Sequence, residues 1–217
     1  MSDFAARIQQ ALTPLADAGR ARGMAAYMKD QFAFFGIQTP PRRLATLAIL
    51  RAYPGDPVEA ARELWALPER EYQYVAVDLL RQHHKRLKRS DLPALEGLVQ
   101  EKSWWDSVDG LAVSIGKLVA REPDLVKRMD ALIDAPDFWL RRIALLHQLD
   151  RKEKTDTARL FDYCLRCADE REFFIRKAIG WALRQYARTD PLAVRGFLDA
   201  HRERLSGLSF REAAKHL

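Results

Sequence analysis

Apolar residues recur along this chain at spacings of three and four, and short polar turns separate the runs. Phe4, Ile8 and Leu12 predict a helix over 3–17, and Met24, Tyr27, Met28 and Phe32 predict one over 21–35 that Gly36 stops. Thr39-Pro40 reads as a cap followed by proline in the first turn, opening a helix to about Ala52. Asp56-Pro57 repeats the signal, and Leu67-Pro68-Glu69 opens a helix with Tyr72, Val75, Ala76 and Leu79 as its stripe. Ser90-Asp91, Ser103, Asp124, Pro136-Asp137, Thr155, Glu170, Asp190-Pro191 and Ser209 open the rest. Alternating β-branched runs and Asn-Gly or Gly-Gly turns are absent, so no strand is expected. Helices of roughly 10–18 residues joined by short turns predict an all-α fold, an α-solenoid of stacked helical pairs. No Gly/Ser/Pro-rich linker breaks the chain, so residues 1–217 are read as one domain.

The stretch that organises this pattern is Lys102-Ser103-Trp104-Trp105-Asp106-Ser107-Val108-Asp109. Ser103 reads as an N-cap, with Asp106 three residues on as the acidic half of a capping box. On a wheel of ~100° per residue, Trp104, Val108, Leu111, Ile115 and Leu118 form the core stripe. Trp105, Asp109, Ala112 and Gly116 share another side: one aromatic, one carboxylate, then small residues. That side is expected to be a floor with room for a ligand.

The helix from Glu170 to Arg188 is the second unusual one. Ile175, Ile179, Ala182, Leu183 and Tyr186 make its core stripe. Lys177, Trp181, Arg184 and Arg188 cluster opposite. A plain reading is a solvated basic face with Trp181 filling a groove. The sharper reading is a phosphate-binding stripe with an aromatic platform. In a solenoid one helix of each pair lines a continuous face. If both helices do so, Trp105, Asp109 and Trp181 meet over one ligand with cations at its flanks.

Charge sharpens this picture only slightly. Lys+Arg number 36 against 30 Asp+Glu, a net charge of +6 that mildly favours an anionic partner. No stretch reaches the ~18 apolar residues of a membrane span, and no secretory signal follows the N-terminus. A cytoplasmic protein is expected. Weaker candidates remain. Arg141 and Arg142 lie off the stripe of Trp139, Ile143 and Leu146, available to phosphates or to Asp109. Thr39-Pro40-Pro41-Arg42-Arg43 sets a helix N-terminus, which favours an anion, beside two arginines. Cys164 and Cys167 match C-x-x-C without a second ligand pair and lie inside a helical pattern, so buried or half-buried helix cysteines are the better reading. His83-His84 sits in a basic run without a carboxylate or Cys at ligand spacing, which reads as solvated charge. Gly-rich phosphate loops, H-E-x-x-H and G-x-S-x-G do not occur.

The chain resembles the AlkD family of bacterial DNA glycosylases. The resemblance rests on Tyr27-Met28-Lys29, Gly36-Ile37-Gln38-Thr39-Pro40, the stretch Glu63 to Glu71, the stretch Lys102 to Asp109, Phe173-Phe174-Ile175, Lys177 to Trp181, Arg211-Glu212-Ala213 and Lys215-His216. It covers essentially the whole chain. It implies a superhelix of HEAT-like repeats with a basic concave face. It also implies monofunctional excision of cationic N3- and N7-alkylated purines from duplex DNA in base excision repair, without metal or other cofactor. The implied acid is Asp109 and the implied site tryptophans are Trp105 and Trp181. The site arginine best matches Arg142, with Arg141 the other register. Tyr27, Lys29, Gln38, Thr39, Arg43, Lys177, Arg184 and Arg188 are the expected DNA contacts. A monomer with no obligate protein partner and no membrane association is expected. A non-catalytic HEAT-repeat binder of damaged or branched DNA is the competing function, and a HEAT-type protein scaffold a third.

Overall fold

A computed structural model describes residues 1–217, save the side chain of His216, which lies outside the described residues together with its part of the terminal motif. The described residues form 13 α-helices. They are α1 (Asp3–Leu12), α2 (Ala18–Tyr27), α3 (Thr39–Arg51), α4 (Pro57–Ala66), α5 (Arg70–Gln82), α6 (Leu92–Gln100) and α7 (Trp105–Arg121). Then follow α8 (Val126–Leu132), α9 (Phe138–Leu146), α10 (Thr157–Arg166), α11 (Phe173–Ala187), α12 (Pro191–Ala200) and α13 (Gly207–Ala213). The fold is all-α and helical-repeat-like, as the periodicity predicts. The chain divides into two compact units, Met1–Leu98 and Val99–Leu217, and the division falls inside α6.

In the first unit α1, α3, α4 and α5 pack together. Ile8, Leu12, Leu50, Leu64, Val75, Ala76 and Leu79 are buried there. Asp56 caps α4 as its sequence predicts, accepting from Val58 N–H at 2.7 Å and Glu59 N–H at 3.2 Å. Helix α2 differs in kind, because none of its residues is buried. It stops at Tyr27 rather than near residue 35, since Lys29 and Asp30 adopt left-handed backbone (φ 58° and 55°) and turn the chain away.

The loop beyond that turn is held by one side chain. Glu71, on α5 and fully buried, accepts hydrogen bonds from Phe35 N–H (3.0 Å), Gly36 N–H (2.9 Å) and Ile37 N–H (2.9 Å). Three backbone donors satisfy a carboxylate that would otherwise be costly to bury. Gly36, at φ 88°, comes so close to α2 that a Cβ would stand 2.2 Å from Asp17 O. The loop delivers Gln38 and Thr39 to the start of α3, where Gln38 rather than Thr39 is the N-cap.

In the second unit α7, α9 and α11 form the centre, with α10, α12 and α13 against α11. Val108, Leu111, Ile115 and Leu118 of α7 are buried with Ile143 and Leu146 of α9 and Ile175, Ile179 and Leu183 of α11. These match the predicted stripes. Asp137 starts α9, Asp156 starts α10 and Asp190 starts α12, each carboxylate accepting a first-turn N–H. His147, at the end of α9, is buried and depressed to about 4 by that burial, so it is neutral at pH 7.

Candidate functional site

The site begins where α6 hands over to α7. Lys102 takes left-handed backbone (φ 50°) and turns Ser103 back toward α6, so Ser103 Oγ donates to Val99 O at 2.6 Å. Ser103 therefore caps nothing on α7. Trp104 is the N-cap residue in extended backbone and provides no side-chain cap. The Asp106 carboxylate instead accepts from Ser107 N–H at 3.0 Å, so the expected capping box does not form.

Trp104 and Trp105 enter different surroundings. Trp104 packs edge-on against Phe174 with centroids 5.1 Å apart and lies 6.2 Å from Trp139. Phe138 stacks parallel to Phe174 at 6.5 Å, closing an aromatic cluster shared by α7, α9 and α11. Trp105 is the first residue of α7 and is half-buried. Trp104→Ala is expected to cost about 3 kcal/mol of stability, the low end for a Trp, because Trp104 is half-buried rather than sealed in the core. Trp105→Ala is expected to melt within a few degrees of wild type. Thermal melts of both variants check this, and equal large losses would refute the distinction.

Asp109 lies one turn after Trp105, and α9 brings Arg142 to it. Arg142 Nε donates to Asp109 Oδ1 at 2.7 Å and Nη2 donates to Oδ2 at 2.8 Å, a two-pronged contact. Arg142 Nη1 donates to Phe174 O in the first turn of α11. One guanidinium thus ties α7, α9 and α11. Its side chain is 5% exposed, whereas that of Asp109 is 12% exposed. Arg141 points elsewhere: its Nε lies 2.8 Å from Glu170 Oε1 and its Nη1 donates to Pro136 O at 3.0 Å. Of the two adjacent arginines, Arg142 is the one that pairs with Asp109.

Burial pushes the Asp109 carboxyl above its usual value; Arg142 pulls against that rise, and the neighbouring Asp106 adds to it. The expected open floor beyond Asp109 is filled. Ala112 is fully buried, and a Cβ on Gly116 would stand 2.0 Å from His147 O. The small residues there let the end of α9 pack onto α7, so that stretch offers no room for a ligand.

Helix α11 carries the second tryptophan. Glu172 caps it by accepting from Phe174 N–H at 3.2 Å. Trp181 is half-buried and Arg188 exposed at the helix end. Lys177 and Arg184, one turn to either side of Trp181, both reach Glu212 of α13. Lys177 Nζ lies 3.0 Å from Oε1, and Arg184 Nη1 donates to Oε2 at 3.0 Å. Periodicity within α11 groups the cations but does not reveal this acid.

The candidates of the first unit are placed separately. Tyr27 is 69% exposed and, with Gln38, lines an open 340 Å³ cavity with Arg20, Met24, Phe34 and Tyr74. Lys29 and Thr39 are exposed. Arg43 donates to Asp78 from Nη2 at 2.9 Å, and the buried Arg42 shares the same carboxylate at 3.1 Å. The α3 N-terminus is a weaker anion site than its sequence suggests. Pro40 and Pro41 occupy the second and third helical positions and carry no N–H.

Two other motifs have structural explanations. Cys164 and Cys167 are buried; burial raises both thiols, that of Cys167 to about 12, which makes them poor thiolates at pH 7. In the basic run, a ring nitrogen of His83 lies 2.7 Å from Leu50 O, and Arg86 donates to Tyr53 O at 3.0 Å and Pro54 O at 2.8 Å. Glu71, Asp78 and Glu212 are the residues that helix periodicity missed. Each receives its partners from 28–36 residues away.

Two comparisons with known proteins agree with this architecture. The family model described as "DNA alkylation repair enzyme" matches residues 8–217. A solved structure described as "Predicted DNA alkylation repair enzyme from Enterococcus faecalis" is 37% identical and superposes with a TM-score of 0.85, covering 93% of this chain and 96% of that one. A search of curated proteins found no match. A match over residues 8–217, together with a fold shared at 37% identity, places this chain in the DNA alkylation repair enzyme family.

Proposed function

We propose that the protein is a monofunctional DNA glycosylase that hydrolyses the N-glycosidic bond of positively charged N3- and N7-alkylated purines in duplex DNA, acting as a monomer without a cofactor. The observation that carries this reading is the Asp109 carboxylate, held on both oxygens by a buried arginine yet still 12% exposed one turn from Trp105. A structural ion pair gains little from an exposed edge. A carboxylate meant to face a developing cation requires one.

An alkyl group on N3 or N7 gives the purine a positive charge and makes it a good leaving group. When the bond to C1′ breaks, the electron pair goes to the purine, which leaves neutral. Positive charge builds on the deoxyribose. Asp109 stabilises that charge and orients a water, whose oxygen bonds to C1′ and whose proton passes to the carboxylate or to solvent. Arg142 opposes protonation of the buried Asp109 and fixes its plane. The faces of Trp105 and Trp181 favour a cationic base. Tyr27, Lys29, Gln38, Thr39, Arg43, Lys177, Arg184 and Arg188 are the proposed contacts to the duplex.

Release of 3-methyladenine and 7-methylguanine from alkylated duplex by the purified protein tests the reading. Tight binding without base release would favour the non-catalytic binder. The pH profile gives a second check. The Asp109 carboxyl is raised, so excision is expected to fall about tenfold per pH unit below a value higher than the usual 3.8. The stability contribution has the opposite sense. A raised folded value means that this group stabilises the fold at acid pH and loses that contribution as pH rises through the folded value. Activity and stability from this one carboxylate therefore move in opposite directions with pH. A single-turnover profile flat to pH 4 would oppose the assignment.

A further inference from the structure

Helix α11 presents its cations in an unusual state. Lys177 and Arg184 flank Trp181, yet both already share Glu212, whose side chain is 20% exposed. Glu212 is not a distant counter-charge. Glu212 Cβ is so near Gly180 that a Cβ there would stand 2.4 Å from it. The acid is therefore seated against the backbone beside Trp181. Lys177 foremost, with Arg184 and Lys215, holds its carboxyl below the usual value, so it is ionised at neutral pH.

We infer that Glu212 competes with DNA phosphates for Lys177 and Arg184 and thereby limits the affinity of α11 for any duplex, an inference that rests on the DNA-facing reading of this helix. A phosphate approaching Lys177 or Arg184 must displace the carboxylate or remain near its negative charge. Either way fewer counterions are released per phosphate bound than by two unpaired cations. Phosphate contacts carry no sequence information, so a brake on them lowers affinity for undamaged DNA, which is in vast excess. The same carboxylate ties down the cations one turn before and one turn after Trp181.

The test is duplex binding against salt concentration, with undamaged and 7-methylguanine duplexes and with excision by the wild type followed in parallel. Glu212→Gln keeps the side-chain shape and the contact with Gly180 but removes the charge. It is expected to steepen the log K versus log salt slope by about one unit and to tighten undamaged-duplex binding about tenfold near 0.1 M salt. Glu212→Asp, which keeps the charge, is expected to restore the wild-type slope. Arg184→Ala is expected to flatten it by about one unit. A slope and affinity unchanged in Glu212→Gln would overturn the inference. So would a lower melting temperature with an unchanged slope, since that describes a strut between α11 and α13. If the wild type shows no salt-dependent duplex affinity, the DNA-facing reading of α11 falls and takes this role with it. If it binds and excises while Glu212→Gln matches it, only the role of Glu212 fails.

Discussion

Asp109→Asn is expected to lower single-turnover excision of 7-methylguanine by roughly 10²–10³, or about 2.7–4 kcal/mol, while the protein still folds and binds duplex. Asn keeps the shape but removes the negative charge that would face the sugar cation. The fold survives for two reasons. The neutral amide no longer carries the desolvation cost that raises the Asp109 carboxyl. Its oxygen can still accept one of the two Arg142 bonds. The remaining loss is at most the about 3–5 kcal/mol of a buried pair broken from one side, because Arg142 loses its counter-charge and the amide NH2 faces one of its donors. Asp106 is the control. Its carboxylate accepts from Ser107 N–H in the first turn, so Asp106→Asn is expected to cost at most about 1 kcal/mol of stability and little activity. The measurement is the excision rate with duplex affinity and melting temperature followed alongside. Near wild-type excision by Asp109→Asn with loss in Asp106→Asn would identify the wrong acid. Intact excision in both would remove the carboxylate from the mechanism.

Sequence legibility divides by distance along the chain. Local signals were readable. Asp56-Pro57 and Asp190-Pro191 cap α4 and α12, and the 3.6-residue stripes of α7, α9 and α11 bury the residues they predict except Trp104 and Tyr186, which are half-buried. Side-of-helix logic also placed Asp109 and Trp105 together. What fails depends on left-handed turns that residue type does not announce, or on partners far away in sequence. Ser103 has the residue type of a cap, but the left-handed turn at Lys102 points it at Val99. The helix expected over 21–35 ends at Tyr27, and Glu71 holds the backbone of 35–37 from 34–36 residues away. The small side of α7 looked open because nothing within α7 reveals that His147 O packs onto Gly116. Patterning within one helix shows which face a residue occupies. It does not show what another helix brings there.

Arg142 illustrates that limit, and its replacement should have the largest effect on stability. Helix periodicity leaves it level with Arg141 and the family resemblance favours it, but only tertiary packing gives it both oxygens of Asp109 and the carbonyl of Phe174. Arg142→Met removes the fork and leaves a largely buried carboxylate without its counter-charge. Breaking a buried pair from one side costs about 3–5 kcal/mol. It also acts on Asp109 chemically. Burial is the larger influence on that carboxyl and Arg142 the main force against it, so losing the arginine raises the carboxyl further. Excision by Arg142→Met is therefore expected to require higher pH than wild type and to fall strongly at pH 7. Arg142→Lys does not repair this, because one ammonium cannot bond both carboxylate oxygens and Phe174 O in the planar geometry of the fork. A double-mutant cycle separates packing from charge. If the damage comes from stranding the carboxylate, Asp109→Asn combined with Arg142→Met should be more stable than Arg142→Met alone. Additive losses in melting temperature, together with an unshifted pH profile in Arg142→Met, would mean that Arg142 serves only as a strut and that Asp109 keeps its charge without it.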